Sequence, residues 1–198
     1  MKKKIIRYEI GIDEAGRGPL AGPVAVGVVM VPIDFDWNLI EGVGDSKKVT
    51  PKNREAIFGR AQALQKEGIL RYVVILGSAR KIDTKGISQV VYACVEKALA
   101  SLAPPTTCSL KLDGSLKAPP QYRNQQTIIR GDAQEKIIGL ASILAKVTRD
   151  RYMVRIAKKY PQYGFEAHKG YGTNTHRKLI KRYGISPEHR VTFLSRIV

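Results

Sequence analysis

Cysteine, histidine and acidic residues are all scarce in this chain of 198 residues. It has two cysteines, three histidines, and 17 Asp and Glu against 34 Lys and Arg. Cys94 and Cys108 form neither a metal-binding spacing nor a disulfide framework. That excludes a disulfide-stapled scaffold and suits a reducing compartment. His168, His176 and His189 also lack the spacing of a metal-ligand set. No apolar run approaches the roughly 18 residues that a membrane helix needs. The first four residues are basic like the start of a signal peptide. Arg7, Glu9, Asp13 and Glu14 interrupt the apolar stretch behind them, so no secretory core exists. A soluble, cytoplasmic protein is expected. No internal repeat or low-complexity tract is present.

The charge imbalance amounts to a formal +17. An excess of that size predicts an anionic partner, with nucleic acid first among the candidates. A non-catalytic nucleic-acid binder would share it, so charge names a class of partner and not an activity. The length fits one domain. A core over about residues 1–155 and a basic, helical extension over about 156–198 are expected, with no flexible linker between them.

Hydrophobic patterning predicts strands over 5–13, 23–32, 69–77 and 109–114. The second is β-branched and nearly continuous, as in a strand buried on both faces. Gly16, Gly18, Pro19, Gly22 and Pro23 separate the first two strands and read as a hairpin-like turn. Residues 33–49 read as loop. Thr50-Pro51 opens a helix reaching about Lys66, and a second covers 87–102. The segment from Thr127 to Asp132 reads as a strand ending in an acidic residue. A long helix then carries Ala133, Ile137, Leu140, Ala141, Leu144 and Val147 on one apolar face. Its small residues Gly139, Ala141, Ser142 and Ala145 permit close approach to a sheet. One more helix is expected over about 175–183. The class is α/β, with a mixed central sheet flanked by helices.

Segment ends in three places carry carboxylates: Asp13-Glu14, Asp113 and Asp132. Adjacent carboxylates repel one another, and a hard divalent cation such as Mg²⁺ or Mn²⁺ relieves that repulsion. Convergence at strand ends is what a two-metal phosphodiester-cleaving site requires. Each piece also has a plainer reading. Asp132 with Glu135 fits a capping box, and Asp113-Gly114 is a common turn pair. Gly16-Arg17-Gly18 is neither a P-loop nor a dinucleotide fingerprint. It is either a tight turn with a solvated arginine or a place where backbone groups read a ribose 2′-hydroxyl. The stretch from Phe165 to Thr173, with His168, Lys169 and Tyr171, is either a polar loop or a strand-binding platform on which Tyr171 stacks. Ser46, Lys47 and Lys48 are either phosphate contacts or a solvated loop.

Taken together, the segments GIDEAGRGPLAGPV at 11–24, DSKK at 45–48, LDG at 112–114, GDAQEKIIGLASILAKVTRDR at 131–151, HKGYGT at 168–173 and, more weakly, PEHRVTF at 187–193 resemble the type 2 ribonucleases H, the ribonuclease HII family. The resemblance implies a ribonuclease H-like fold with a C-terminal helical segment. It implies an endonuclease that cuts the RNA strand of RNA/DNA hybrids and the 5′ side of single ribonucleotides in duplex DNA. The products are 3′-hydroxyl and 5′-phosphate ends, and the roles are ribonucleotide removal from DNA and RNA primer removal. Asp13, Glu14, Asp113 and Asp132 match the family's metal-binding carboxylates, which hold two divalent ions, Mg²⁺ or Mn²⁺. Gly16, Arg17 and Gly18 match its junction-recognising turn, and Tyr171 its deoxyribose-sensing tyrosine. Ser46, Lys47, Lys146 and Arg149 match phosphate or site-supporting positions. Ten residues precede Gly11, so the extra N-terminal domain of the sister ribonuclease HIII family is not expected. The tail from Phe193 to Val198 lacks the paired aromatics of a sliding-clamp peptide. A monomer is expected.

Overall fold

In the computed structural model, residues 7–44 and 49–195 are described. The DSKK segment, with Ser46 and Lys47, and the last three residues of the tail lie outside them. Five strands form one mixed sheet: β1 (Tyr8–Ala15), β2 (Val24–Pro32), β3 (Arg71–Gly77), β4 (Ser109–Asp113) and β5 (Gln125–Ile128), in the order β3-β2-β1-β4-β5. The first three are antiparallel neighbours, whereas β1, β4 and β5 run parallel. Helices α1 (Pro51–Lys66) and α5 (Lys136–Ala157) cover one face, and α3 (Ile87–Leu102) covers the other.

Period-two alternation assigns the side chains to these faces. Ile10, Ile12, Val24, Val26 and Val28 pack with Val91, Val95 and Leu99 of α3. Val29 and Val31 pack with Phe58 and Leu64 of α1 and with α5. The opposite register on β1 and β2 presents Gly11 and Gly27 to α5. A Cβ at Gly11 would overlap the Ile137 carbonyl, and one at Gly27 would overlap the Ala141 carbonyl. At these two glycines the α5 backbone therefore meets the sheet directly, backbone against backbone.

Several expectations change in the structure. Pairing of β1 with β2 continues to Ala15↔Ala25, so Asp13 and Glu14 lie inside the strand rather than at its end. The 33–49 loop contains a 3₁₀ turn over Trp37–Ile40, capped by Asp36. A short helix, α2 (Ala79–Lys85), follows a Ser78 cap between the expected strand and the expected helix. The expected long helix is broken at Glu135, whose extended backbone separates a single turn, α4 (Gly131–Gln134), from α5. The capping box does not form. Arg130 holds the α4 N-cap position, and the Glu135 carboxylate instead pairs with Lys111 at 2.7 Å. Ala133 is exposed, while Ile137 through Ala145 are buried on every side. The sheet and α1 enclose that stretch, so it is a buried helix and not one with a single apolar stripe.

The C-terminal segment carries α6 (Phe165–His168) and α7 (Asn174–Tyr183). It packs on the turn between β1 and β2 through Ala21, Met153, Tyr163 and Phe165. Backbone bonds complete the junction: Leu20 N–H donates to Gly170 O at 2.9 Å, Gly22 N–H to Glu188 O at 2.8 Å, and Arg190 N–H to Leu20 O at 2.8 Å.

All three histidines of the chain meet in this segment. The Ser186 N–H donates to His189 Nδ1 at 2.9 Å, so the proton of that ring sits on Nε2. His189 Nε2 then donates to His176 Nε2 across 3.1 Å. His176 Nδ1 in turn donates to the Tyr171 carbonyl at 2.9 Å. His168 stacks on His176 with ring centroids 4.2 Å apart. Backbone polarity thus fixes both rings of the buried pair as neutral, and burial lowers each pKa to about 4.

Two outcomes are expected. Gly27→Ala should destabilise the protein by about 1–3 kcal/mol, because a methyl must displace the α5 backbone; urea unfolding measures it, and an unchanged midpoint would contradict the packing described. In an NMR titration, the ring signals of two histidines should remain those of neutral imidazole down to about pH 5. An unfolded histidine takes up its proton near 6.5, so the pair's contribution to stability is complete above that pH. It declines as the pH falls toward about 4. Both rings titrating near 6.5 would refute the assignment.

Candidate active site

Asp13, Glu14, Asp113 and Asp132 line a single cleft of about 210 Å³, with Ala15, Gly16, Arg54, Ser142, Lys146 and Tyr171. Strand geometry brings them from different directions. Asp13 lies on the α5 side of β1, is 4% exposed, and is hydrogen-bonded by the Ser142 side chain. Its Oδ1 also accepts the Glu14 N–H at 2.7 Å. Glu14 lies on the opposite side, where Arg17 Nη1 reaches its Oε1 at 3.0 Å. Asp113 ends β4 just before Gly114, whose φ of +56° makes the turn. Asp113 Oδ1 accepts the Gly131 N–H at 2.6 Å, joining the β4 end to the α4 start. Asp132 is buried in that first turn. Turn pair and cleft residue are therefore both true of Asp113.

The electrostatics are those of negative charge held out of water. Burial raises the Asp13 pKa well above the usual carboxylate range, and the neighbouring Glu14 and Asp113 charges push the same way. Burial raises Glu14 too, against the opposing pull of Arg17. Glu14 Oε2 is buried without a hydrogen-bond partner. An all-oxygen donor set with an orphaned, desolvated carboxylate oxygen fits a hard divalent cation. Among the described residues, no three His, Cys, Asp or Glu are gathered closely enough to enclose an ion as they stand. Three of the carboxylates are held by a local donor: Ser142 and the Glu14 N–H for Asp13, Arg17 for Glu14, and the Gly131 N–H for Asp113.

The Gly16-Arg17-Gly18 turn borders this cleft. Gly16 has φ +89°, and a Cβ there would overlap the Arg149 side chain. Arg17 is partly exposed, and its second nitrogen donates to Ser88 Oγ of α3 at 3.2 Å. Tyr171 is 43% exposed on the rim, with Lys146 Nζ 5.8 Å and the Arg149 guanidinium 5.7 Å from its ring centre. The His176 bond to its carbonyl holds its backbone.

The remaining expected contacts divide. Lys146 pairs with Asp150 at 2.7 Å but lines the cleft. Lys169 lines a larger neighbouring groove of about 680 Å³, with Arg54, Arg151, Arg155 and Lys158. Arg149 is fully buried and donates to the Pro23 and Ala21 carbonyls at 2.8 and 3.1 Å, so it supports the β1–β2 turn from beneath. Both ring nitrogens of His168 bond to backbone: Nε2 to Tyr163 O at 2.8 Å, and Nδ1 to the Gly170 N–H at 3.1 Å. Both residues make these contacts within the protein.

Sequence reasoning passed over Ser142, Arg54, Ser88 and Arg190. Ser142 was visible only as a small residue, although a hydroxyl within a wholly buried helical run is itself a signal. Arg190 sits in the PEHRVTF segment and is fully buried. Burial, with the Arg149 charge nearby, lowers its pKa to about 9.

Comparison with known proteins agrees with this geometry. The Ribonuclease HII family model matches residues 10–196. The ribonuclease HII of Geobacillus kaustophilus is 43% identical over 188 residues, covering 95% of this chain and 68% of that protein. That of Caldicellulosiruptor bescii is 44% identical over 192 residues, covering 97% of this chain and 89% of that protein. The crystal structure of ribonuclease H2 from Pyrococcus horikoshii matches with a TM-score of 0.71 at 30% identity, over 93% of each chain. With its mixed sheet and its carboxylate-lined cleft, this chain belongs to the ribonuclease HII family of ribonuclease H type 2 endonucleases.

Proposed function

We propose that this endonuclease hydrolyses the RNA strand of RNA/DNA hybrids and cuts on the 5′ side of single ribonucleotides within duplex DNA. It would leave 3′-hydroxyl and 5′-phosphate ends and serve ribonucleotide and primer removal in the cytoplasm. The observation that carries the reading is the shared cleft. Four carboxylates from β1, β4 and α4, Gly16 of the Gly-Arg-Gly turn and a half-exposed tyrosine all border one space.

Asp13, Glu14, Asp113 and Asp132 would hold divalent ions, Mg²⁺ or Mn²⁺, two in the course of the reaction. Such ions, when bound, neutralise charge at the phosphodiester and acidify water. The protein's own groups set the substrate. Arg17, partly exposed beside Glu14, is placed to meet a phosphate, and the flanking glycines bring peptide groups close enough to read a ribose hydroxyl. The exposed face of Tyr171 would stack on the sugar of the following deoxynucleotide. The basic groove lined by Arg54, Arg151, Arg155, Lys158 and Lys169 would carry the flanking duplex without reading its sequence. Among the described residues, no helix is long and apolar enough to cross a membrane.

A labelled duplex with one ribonucleotide, compared with an all-DNA duplex, tests the proposal. A single cut 5′ to the ribonucleotide is expected with Mg²⁺ or Mn²⁺ and none with EDTA. Asp13→Asn should reduce the rate by about 10³-fold or more, roughly 4 kcal/mol of barrier, without lowering the melting temperature, since it removes a desolvated charge. Equal cutting of both duplexes would make this a nuclease indifferent to ribose. Tyr171→Ala should slow cleavage of the single-ribonucleotide duplex by about tenfold, on the scale of one lost stacking contact. It should slow a continuous hybrid less; equal losses on both substrates would remove the deoxyribose-sensing role.

A further inference from the structure

The Gly16-Arg17-Gly18 turn does not hold its shape alone. The Arg190 guanidinium, 0% exposed, reaches it from the far end of the chain. Its Nη2 donates to Gly16 O at 2.7 Å, Nη1 to Arg17 O at 2.8 Å, and Nε to Gly22 O at 2.9 Å. Three donors of one rigid, planar group thus fix three carbonyls of a single turn. Fixing the carbonyls of Gly16 and Arg17 also fixes the peptide planes that carry the N–H groups of Arg17 and Gly18. The first of those planes begins at Gly16, which lines the carboxylate cleft.

Guanidinium groups are usually matched to carboxylates or phosphates. Here a buried cation serves neutral carbonyls, with no carboxylate among its hydrogen-bond partners. Its aromatic neighbour Phe193 lies 5.2 Å from the guanidinium, closing the space on one side. Asp83 of α2 anchors the next residues, accepting from the Val191 N–H, the Thr192 N–H and the Thr192 hydroxyl at 3.0, 3.0 and 2.7 Å. Desolvating a charge to bind a loop is costly. A hydrophobic plug would close the same space, but it would not orient the peptide groups.

We infer that Arg190 is a positioning residue for ribose selection: from the C-terminal segment it sets the orientation of the peptide groups in the Gly16-Arg17-Gly18 turn. This rests on the assignment of that turn to ribose recognition. Lysine keeps the charge but offers one flexible ammonium in place of a fixed fork, so it cannot serve the three carbonyls in the same geometry.

The test measures binding, with Ca²⁺ in place of the catalytic ion, to fluorescent duplexes with and without one ribonucleotide. Wild type, Arg190→Lys and Arg190→Gln are compared, with a melting curve for each. Arg190→Lys and Arg190→Gln should each lose about tenfold of the preference for the ribonucleotide, the scale of one mispositioned hydrogen bond. Affinity for the all-DNA duplex should be unchanged. A folded Arg190→Lys that keeps the wild-type preference overturns the inference, even if its melting temperature falls. If both Arg190 variants are unfolded at the assay temperature, Asp83→Ala is read in their place. It loosens residues 191–192 from the surface of α2, and an unchanged preference there overturns the inference equally. A wild type with no preference would strike at the assigned role of the turn, not at Arg190 as its support.

Discussion

The contact on which the rest depends is the approach of the α5 backbone to Gly11 and Gly27. No other residue at those two sheet positions leaves room for the carbonyls of Ile137 and Ala141. Once α5 is seated there, its register along the sheet is set. Ser142 then falls beside Asp13, Lys146 comes to the cleft one turn later, and Arg149 passes beneath the β1–β2 turn. Shifting the helix by one residue would rotate all three away by about 100°. The carboxylate-lined cleft is thus a consequence of how closely two pieces of backbone pack.

Charge is distributed in a complementary way. The desolvated carboxylates gather in one cleft, while much of the basic excess lies on the surface around it. Two arginines are exceptions. Arg149 and Arg190 are buried and spend their donors on carbonyls of residues 16–23. The turn between β1 and β2 is therefore held from below by the core helix and from the side by the C-terminal segment.

The sequence was most legible where local chemistry coincided with tertiary role. β2 reads as a doubly buried strand because it is one, and Thr50-Pro51 opens α1 because cap and first-turn proline are strictly local signals. The carboxylates were visible because charge beside apolar strands is conspicuous. The break at Glu135 was not, since the residue is a good helix former. It becomes a break because Lys111, on a distant strand, claims its carboxylate. The single apolar face expected of α5 failed for a similar reason: Ile137 through Ala145 are enclosed all round by elements remote in sequence. For His168 a polar loop or a binding platform, and for Arg149 a phosphate or site-supporting position, stayed open because residue type says nothing of what lies opposite. The pairings that enclose Arg190 span more than 160 positions, beyond any periodicity.

That span bears on biosynthesis. The turn formed by residues near position 20 donates hydrogen bonds to Gly170 and Glu188 and accepts them from Arg190. A chain still on the ribosome can pair β1 with β2 early, since hairpins form locally and domains fold as they emerge. Its carboxylates are then present, but the turn beside them is still waiting for its last partners. Those partners come about 150 positions or more later in the sequence and so emerge well after the hairpin. The arrangement ties completion of that turn to the synthesis of residues 170–190, so a growing chain carries the β1 carboxylates long before the turn beside them is closed.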